Sequence, residues 1–448
     1  MHTFFPAVGG VIDGFGCSAG PARRRPFFST VWSSASGALL ALVAGVVVGG
    51  TAAAADWPQF LGPTRNGVYA GAALATTWPK EGPPVVWQQK VGAGFSGPVV
   101  AGGRAILFHR VGNKAVVQAF DAGTGKAGWS FEYVTDYTDD FGFDPGPRST
   151  PAVADGKVFT YGAEGMVHAL DAATGKKLWS VSATAQFGSG KGFFGRVCSP
   201  LLEGNAVLLN VGGADGAGIV ALDKDTGKLL WKASNEEAGY SSPSAATIGG
   251  KRHAFFFTRG NLTSVDPQTG AVHFEFPWKP AVSASVSAAV PLVVGDLVFV
   301  SASYQAGAVL LRIKPGGPEQ VWSGDDILSN QYATCVPRDG FLYGIEGRVD
   351  HAPGGSLRCV ELLTGKVRWS EDSLGAPTVT LAGDQLLVLT DKGGLMIAPA
   401  TPAGFQPTGR AQILPFTVRA HPAVADGLFY ARSKDKLLCV DLRKTAAR

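Results

Sequence analysis

The sequence predicts an all-β fold, an eight-bladed β-propeller of four-stranded antiparallel blades that an N-terminal strand closes. Two observations predict it. A short apolar strand pattern that ends at a turn glycine recurs eight times, with about 43 to 54 residues between successive glycines, and a period of about 40 to 50 residues is typical of propeller blades. Five repeats also carry a Thr-Gly turn that is followed by an aromatic residue. The turn glycines are Gly102, Gly156, Gly204, Gly250, Gly295, Gly340, Gly383 and Gly427.

The repeat between Ser149 and Trp179 shows the complete unit. Short alternating apolar runs are separated by turns at Asp155-Gly156, Glu164-Gly165 and Thr174-Gly175. Such runs between glycine turns indicate strands joined by hairpins. Four strands in one repeat match one propeller blade.

Tryptophans near the last strand of the repeats are predicted to be structural, because each can pack between its own blade and the next. A buried indole contributes a large apolar surface. The Thr-Gly element before them is explained by turn geometry, since glycine supplies the positive φ. The tryptophans assigned to this role are Trp87, Trp129, Trp179, Trp231, Trp322 and Trp369.

The two ends of the repeat region indicate how the ring closes. The last repeat, from His421 to Leu442, supplies only three strands, and an unmatched strand begins near Pro84. Pairing the two would remove sheet edges that invite aggregation. Seven blades is the alternative, because the repeat from Pro377 to about Phe405 lacks the turn and the tryptophan.

The first 55 residues have the pattern of an export signal. Arg23, Arg24 and Arg25 precede an apolar stretch that ends in Ala-rich sequence before Asp56, as in a secretory signal peptide. The arginines also fit a twin-arginine signal, and an uncleaved membrane anchor is a further alternative. We therefore predict a signal at 1–55, an N-terminal extended segment at 56–84 and the propeller at 85–448.

The net charge argues against nucleic-acid binding, and the positions of the cysteines argue against a disulfide. The formal net charge of +4 includes the three signal arginines, so the exported chain is close to neutral, whereas a nucleic-acid binder concentrates a basic stripe. Cys335 and Cys359 fall on strands about 10 Å apart, too far for a disulfide. We predict buried free thiols and no nucleic-acid partner.

One mouth of the ring is the expected ligand site, because the loops that differ between blades meet there. Guanidinium groups around a mouth suit an anionic ligand, so a protein or a small anionic ligand is the expected partner. The alternative is that the arginines pair with local acids such as Glu164 and Glu346. The predicted mouth residues are Arg148, Arg196, Tyr240, Arg259, Tyr304, Tyr332, Arg348, Arg419 and His421.

An acidic insertion between Thr135 and Asp144 is the one stretch that resembles a metal site. Asp136, Asp139 and Asp140 carry oxygen ligands of the kind that Ca²⁺ prefers. Their spacing matches no calcium loop, so a solvated loop is favoured and no metal is predicted.

The repeats resemble a known family. Residues 167–179, Val-His-Ala-Leu-Asp-Ala-Ala-Thr-Gly-Lys-Lys-Leu-Trp, are similar to the pyrroloquinoline-quinone-like repeats of the quinoprotein alcohol dehydrogenase-like superfamily. The segment Asp56-Trp57-Pro58-Gln59-Phe60-Leu61-Gly62-Pro63 resembles the start of exported propellers of the BamB type. The resemblance covers residues 56–448 and implies a periplasmic or cell-envelope location.

The dehydrogenases of that superfamily, as the resemblance implies, hold the quinone with Ca²⁺, a catalytic Asp and a disulfide between adjacent cysteines. This sequence contains no adjacent cysteine pair, and no calcium ligands can be matched to it. We therefore predict a non-catalytic binding or scaffold protein without a cofactor, with a role in cell-envelope protein assembly. The alternative is a quinone-dependent oxidoreductase with a degenerate cofactor site. The BamB-type lipid-attachment cysteine is also missing, which leaves the membrane role of that protein in doubt here.

Overall fold

The structure of the protein is a computed structural model, and it describes residues 56–282, 285–348, 354–372 and 374–444. The predicted signal at 1–55 lies outside the described residues. Strands are numbered in chain order. The first two are β1 (Val68–Tyr69) and β2 (Val85–Lys90), and a single short helix among the described residues is α1 (Ala183–Phe187).

Four blades come from the first half of the chain. Blade one contains β3 (Val99–Ala101), β4 (Arg104–Val111), β5 (Lys114–Asp121) and β6 (Ala127–Val134). Blade two contains β7 (Ala152–Ala154), β8 (Lys157–Tyr161), β9 (Met166–Asp171) and β10 (Lys177–Ser182). Blade three contains β11 (Leu201–Glu203), β12 (Ala206–Asn210), β13 (Ile219–Asp223) and β14 (Leu229–Ala233). Blade four contains β15 (Ser244–Ile248), β16 (Lys251–Phe257), β17 (Asn261–Val265) and β18 (Val272–Pro277).

The other four blades follow the same order. Blade five contains β19 (Leu292–Val294), β20 (Leu297–Ala302), β21 (Gly307–Lys314) and β22 (Gly317–Gly324). Blade six contains β23 (Val336–Arg338), β24 (Phe341–Glu346), β25 (Ser356–Glu361) and β26 (Val367–Glu371). Blade seven contains β27 (Thr378–Ala382), β28 (Gln385–Leu389), β29 (Gly394–Pro399) and β30 (Gly409–Gln412). Blade eight contains β31 (Ala423–Ala425), β32 (Leu428–Arg432) and β33 (Lys436–Asp441).

The ring closes as the sequence predicts. β2 pairs antiparallel with β33 and becomes the outer strand of blade eight, so that all eight blades have four antiparallel strands. Eight blades is therefore correct and seven is wrong. Blade seven forms although it lacks the turn and the tryptophan, and its first strand also pairs in parallel with β1.

The core lies between blades, where the apolar faces of neighbouring sheets pack together. The first strands of neighbouring blades contact each other around a central channel. Cys198, Cys335, Cys359 and Cys439 are buried free thiols, as predicted. No helix among the residues that the structure describes has the length and apolarity needed to cross a membrane.

Indole rings at the equivalent position join six of the blades to the next one. Trp179, on β10 of blade two, donates a hydrogen bond from Nε1 to the carbonyl of Lys224 at 2.9 Å in blade three. Its ring covers Gly227, where an added Cβ would lie 2.7 Å from the indole. A side chain larger than glycine would therefore displace the ring. Trp87, Trp129, Trp231, Trp322 and Trp369 make the equivalent bond to the following blade.

The N-terminal segment has a role that the sequence did not reveal. Residues 57–69, here called the channel strap, run inside the ring and contact the first strands of successive blades. Trp57 exchanges backbone hydrogen bonds with Val100 in blade one, at 2.8 and 2.9 Å. The carbonyl of Pro58 accepts from the N–H of Val153 in blade two.

Farther along, the channel strap continues around the ring. The buried Arg65 guanidinium donates to the carbonyls of Pro200 at 2.8 Å and Ser199 at 3.1 Å in blade three. The carbonyl of Gly67 accepts from Leu381 in blade seven, and the Tyr69 hydroxyl accepts from Gly427 in blade eight at 3.0 Å. The strap therefore ties distant blades together across the channel.

Replacing Trp179 with alanine should lower the free energy of unfolding by about 3–5 kcal/mol, because it removes a buried aromatic side chain and leaves a cavity between blades. Denaturant unfolding followed by circular dichroism measures the change. Lys232→Ala, on the exposed face of β14, is the matched control and should change stability by less than about 0.5 kcal/mol. Ligand binding at the mouth should not change. If Trp179→Ala unfolded at the same denaturant concentration as the wild type, the indole would contribute nothing to the contact between blades.

Candidate functional site

Eight equivalent positions surround one end of the channel. Each lies two residues before the first strand of its blade, where the chain enters the blade from the loop. Several of them carry hydroxyl groups, and these link neighbouring blades. In each link a backbone N–H donates to the side-chain oxygen of the next position. Gly97 bonds Thr150 Oγ1 at 3.0 Å, Thr150 bonds Ser199 Oγ at 2.9 Å, and Ser199 bonds Ser242 Oγ at 2.9 Å. The eight positions are Gly97, Thr150, Ser199, Ser242, Val290, Thr334, Ala376 and His421.

His421 occupies this ring in blade eight but makes no comparable bond. Its side chain is 6% exposed, and neither ring nitrogen has a hydrogen-bond partner among the described residues, although the backbone of Tyr332 lies near. Burial lowers the pKa of His421 to about 4, so the imidazole is neutral at neutral pH. Its ring packs edge-on against Phe60 of the channel strap at 5.1 Å between centroids.

An axial cavity of about 230 Å³ opens at this end of the channel. The channel strap reaches this cavity through Phe60, which lines it. The ring positions Ser199, Ser242 and His421 line the cavity beside Phe60, so we describe Phe60 as its floor.

The structure brings most of the predicted mouth residues together at this cavity. Six of the nine line it, from loops of five different blades: Arg148, Tyr240, Tyr304, Tyr332, Arg419 and His421. Burial raises the pKa of Tyr240 and of Tyr332, so both phenols remain protonated and can donate hydrogen bonds.

The three other predicted arginines do not line the cavity. Arg196 is 4% exposed and lies beside Tyr161. Arg259 donates to the carbonyl of Ser285 at 3.0 Å. The Arg348 guanidinium lies 3.9 Å from the ring centroid of Tyr304, which itself lines the cavity. Local partners hold these groups away from the axis, and no sequence pattern reveals that.

In the acidic insertion, Asp139 pairs with the guanidinium group of Arg148. Asp139 forms a buried ion pair with Arg148 at 2.6 Å, and the two side chains are only 2% and 9% exposed. Burial alone would raise the pKa of Asp139, but the N–H groups of Phe141 and Asp144 and the Arg148 guanidinium lower it.

The neighbouring carboxylates of the insertion point elsewhere. Asp140 pairs with Lys191, and Asp136 is exposed. Among the residues that the structure describes, no group of three or more acidic, histidine or cysteine side chains is placed to hold a metal ion. Glu164 and Glu346 accept from other groups, Tyr133 at 2.6 Å and Ser329 at 2.6 Å, and not from the mouth arginines.

Arg419 differs from Arg148 because it forms no ion pair with a carboxylate of the described residues. Its guanidinium lies 5.4 Å from the ring centroid of Phe95 and 5.6 Å from that of Phe143. Within the described part of the chain it makes no ion pair or hydrogen bond. A guanidinium between aromatic rings keeps its fork of donors available for an anion.

Sequence analysis missed an aromatic surface beside the cavity. Phe141, Phe143, Phe193 and Phe194, here called the phenylalanine shelf, come from the acidic insertion and from the glycine-rich loop before blade three. Ring centroids within the shelf lie 5.2 to 6.2 Å apart. The sequence contains these residues as two close pairs, Phe141 with Phe143 and Phe193 with Phe194. The predictions for these two loops considered only the neighbouring aspartates and glycines.

Replacing His421 with leucine should change the pH dependence of stability. Because the folded pKa of about 4 lies below the ordinary 6.5, the unfolded chain takes up the proton first, and stability falls as the pH drops from 6.5 towards 4. Relative to the wild type, the variant should gain about 2 kcal/mol between pH 7 and pH 5.

Urea unfolding at the two pH values measures this difference. Thr150→Val, at the equivalent ring position, introduces no change in titrating groups and should differ from the wild type equally at both pH values. If the stability of His421→Leu relative to the wild type were also the same at both pH values, the imidazole would not be held neutral by burial.

Comparisons with known proteins agree with this architecture. The structure of BamB from Moraxella catarrhalis matches 81% of this chain and 99% of its own, with a TM-score of 0.60 and 16% identity. Quinohemoprotein alcohol dehydrogenase from Comamonas testosteroni matches 88% of this chain and 82% of its own, with a TM-score of 0.65 and 15% identity. Identities this low show the fold alone.

Sequence comparison is more specific. No curated protein sequence matches the chain significantly. The family model described as outer membrane protein assembly factor BamB matches residues 113–371, more than half of the chain. The matched region runs from blade one to blade six. The chain therefore belongs to the BamB family of propellers with pyrroloquinoline-quinone-like repeats.

Proposed function

We propose that this protein is an exported, non-catalytic binding propeller of the bacterial periplasm or cell envelope. It takes a protein or a small anionic ligand at its axial mouth and serves envelope protein assembly. The observation that carries the proposal is the axial cavity, which is closed below by Phe60 and lined by an arginine, Arg419, that has no acidic partner among the described residues. The assembly role rests on membership of the BamB family.

The electrostatics of the cavity support binding of an anion. Among the residues that the structure describes, no Asp or Glu side chain lines it, whereas Arg148 and Arg419 do. Asp139 already neutralises Arg148, so Arg419 supplies the uncompensated positive charge. A guanidinium that partly apolar walls shield from water binds a carboxylate more strongly than an exposed one does.

The alternative is a quinone-dependent oxidoreductase, and the residues present do not fit that cofactor with its calcium ion. Calcium needs several oxygen ligands, usually carboxylates, and the described residues that line the cavity provide no carboxylate. They therefore supply no candidate for a catalytic carboxylate either.

The aromatic anion 8-anilinonaphthalene-1-sulfonate tests binding at the mouth. We expect saturable one-to-one binding to the folded protein, with affinity reduced about tenfold in Arg419→Gln because a charge-assisted contact is lost. Fluorescence titration measures it. Arg368→Gln, on exposed β26, is the matched control and should bind as the wild type does. Equal affinity in the wild type and Arg419→Gln would place the anion elsewhere and overturn the proposal.

Catalysis is tested separately. The protein is incubated with pyrroloquinoline quinone and Ca²⁺, and dye-linked oxidation of alcohols and sugars is followed by absorbance. We expect no saturable quinone binding at tens of micromolar and no turnover above the protein-free control. Saturable binding with turnover would overturn the non-catalytic assignment.

A further inference from the structure

The phenylalanine shelf and the axial cavity form one continuous apolar surface. Phe143 and Phe194 belong to the shelf and also line the cavity. Phe141 and Phe193 extend the surface outward, and Phe141, Phe143 and Phe193 are 52%, 51% and 37% exposed. Contiguous exposed aromatic surface of this kind marks a site of interaction.

The loops that carry the shelf are held in place by polar contacts. Asp139 accepts from the N–H of Phe141 at 2.8 Å and of Phe143 at 3.2 Å, and Arg148 locks the carboxylate. The N–H of Phe193 donates to the hydroxyl of Tyr240 at 2.9 Å. The rings are therefore arranged before any partner arrives, which lowers the entropy cost of binding.

The size of the cavity limits what enters it. A volume of about 230 Å³ is too small for most whole ligands of drug size but suits one large side chain. Phe141 and Phe193, the outer part of the shelf, lie outside the cavity and continue from it on the side of blades one to three. The occupant must therefore place an anchor in the cavity and extend over the shelf, as an extended chain does.

Arg419 and His421 indicate which chemical groups of a partner lie next to the side chain that fills the cavity. Arg419 lies between Phe95 and Phe143, at the boundary of cavity and shelf, and its charge is uncompensated among the described residues. A carboxylate next to the anchor would complement it. Inside the cavity, the unpartnered ring nitrogens of the buried His421 can pair with a backbone group of the same segment.

We propose that the mouth binds an extended acidic segment of a partner protein, in which an aromatic side chain fills the axial cavity and an adjacent Asp or Glu carboxylate binds Arg419. The rest of the segment lies on the phenylalanine shelf. This inference rests on the proposed function and narrows it from an anion of either kind to a polypeptide of stated chemistry.

The test uses unlabelled peptides, so that no dye contacts the shelf. The probe is acetylated and amidated Gly-Ser-Gly-Asp-Phe-Asp-Gly-Ser-Gly, titrated into the whole exported chain by isothermal calorimetry. Replacing both Asp by Asn, or Phe by Ala, should each weaken binding about tenfold. The Arg419→Gln protein should lose the preference for the Asp peptide over the Asn peptide.

Shelf variants test the extended part of the site. Phe141→Ser and Phe193→Ser replace exposed rings and should each weaken peptide binding about fivefold, whereas Leu363→Ser should not. Leu363 is the matched control, because it is 52% exposed on the Thr-Gly turn side, away from the mouth. Thermal melting verifies that all variants are folded. Peptide affinity unchanged in both shelf variants would overturn the extended binding mode.

Two further outcomes separate this inference from the proposed function. Binding of 8-anilinonaphthalene-1-sulfonate that depends on Arg419, together with no binding of the acidic aromatic peptide, would overturn the peptide proposal and leave the anion site intact. Tighter binding of a peptide with a free C-terminal Phe and no Asp would replace the internal acidic segment by a chain terminus. Loss of both binding events would overturn the proposed function itself.

Discussion

The pairing of β2 with β33 joins the two ends of the propeller, and the axial channel depends on it. Antiparallel hydrogen bonds from Val85 to Lys90 complete blade eight and leave no blade with an unpaired edge facing a gap. Of the segment before β2, the channel strap contacts the first strands of the blades. Residues 74–82 instead contact the last strand of blade seven and the end of blade eight.

The strap gives the channel a closed end. Trp57 and Pro58 pair with blades one and two, Arg65 reaches blade three, and Tyr69 reaches blade eight. A buried guanidinium is stable in this place because carbonyl groups satisfy most of its donors. The axial cavity remains where Phe60 of the strap meets the ring positions Ser199, Ser242 and His421.

Charge at the mouth is set by which groups find partners within the fold. Six of the nine predicted mouth residues line the axial cavity, because positions before the first strand and between the second and third strands follow from the repeat. The sequence did not distinguish Arg148, which Asp139 neutralises, from Arg419, which lies near Phe95 and Phe143 and forms no ion pair among the described residues. Pairing depends on loop conformation, and loops are where the repeats differ from one another.

The sequence by itself determined the blades, their number and the closing strand, because turn glycines, apolar alternation and the repeated tryptophans are local signals that recur at a constant spacing. Only the tertiary structure decided the site. The channel strap, the neutral His421 in the ring of hydroxyl groups and the phenylalanine shelf each depend on contacts between residues far apart in the chain. Such contacts do not recur at the spacing of the blades, so the repeat in the sequence cannot predict them.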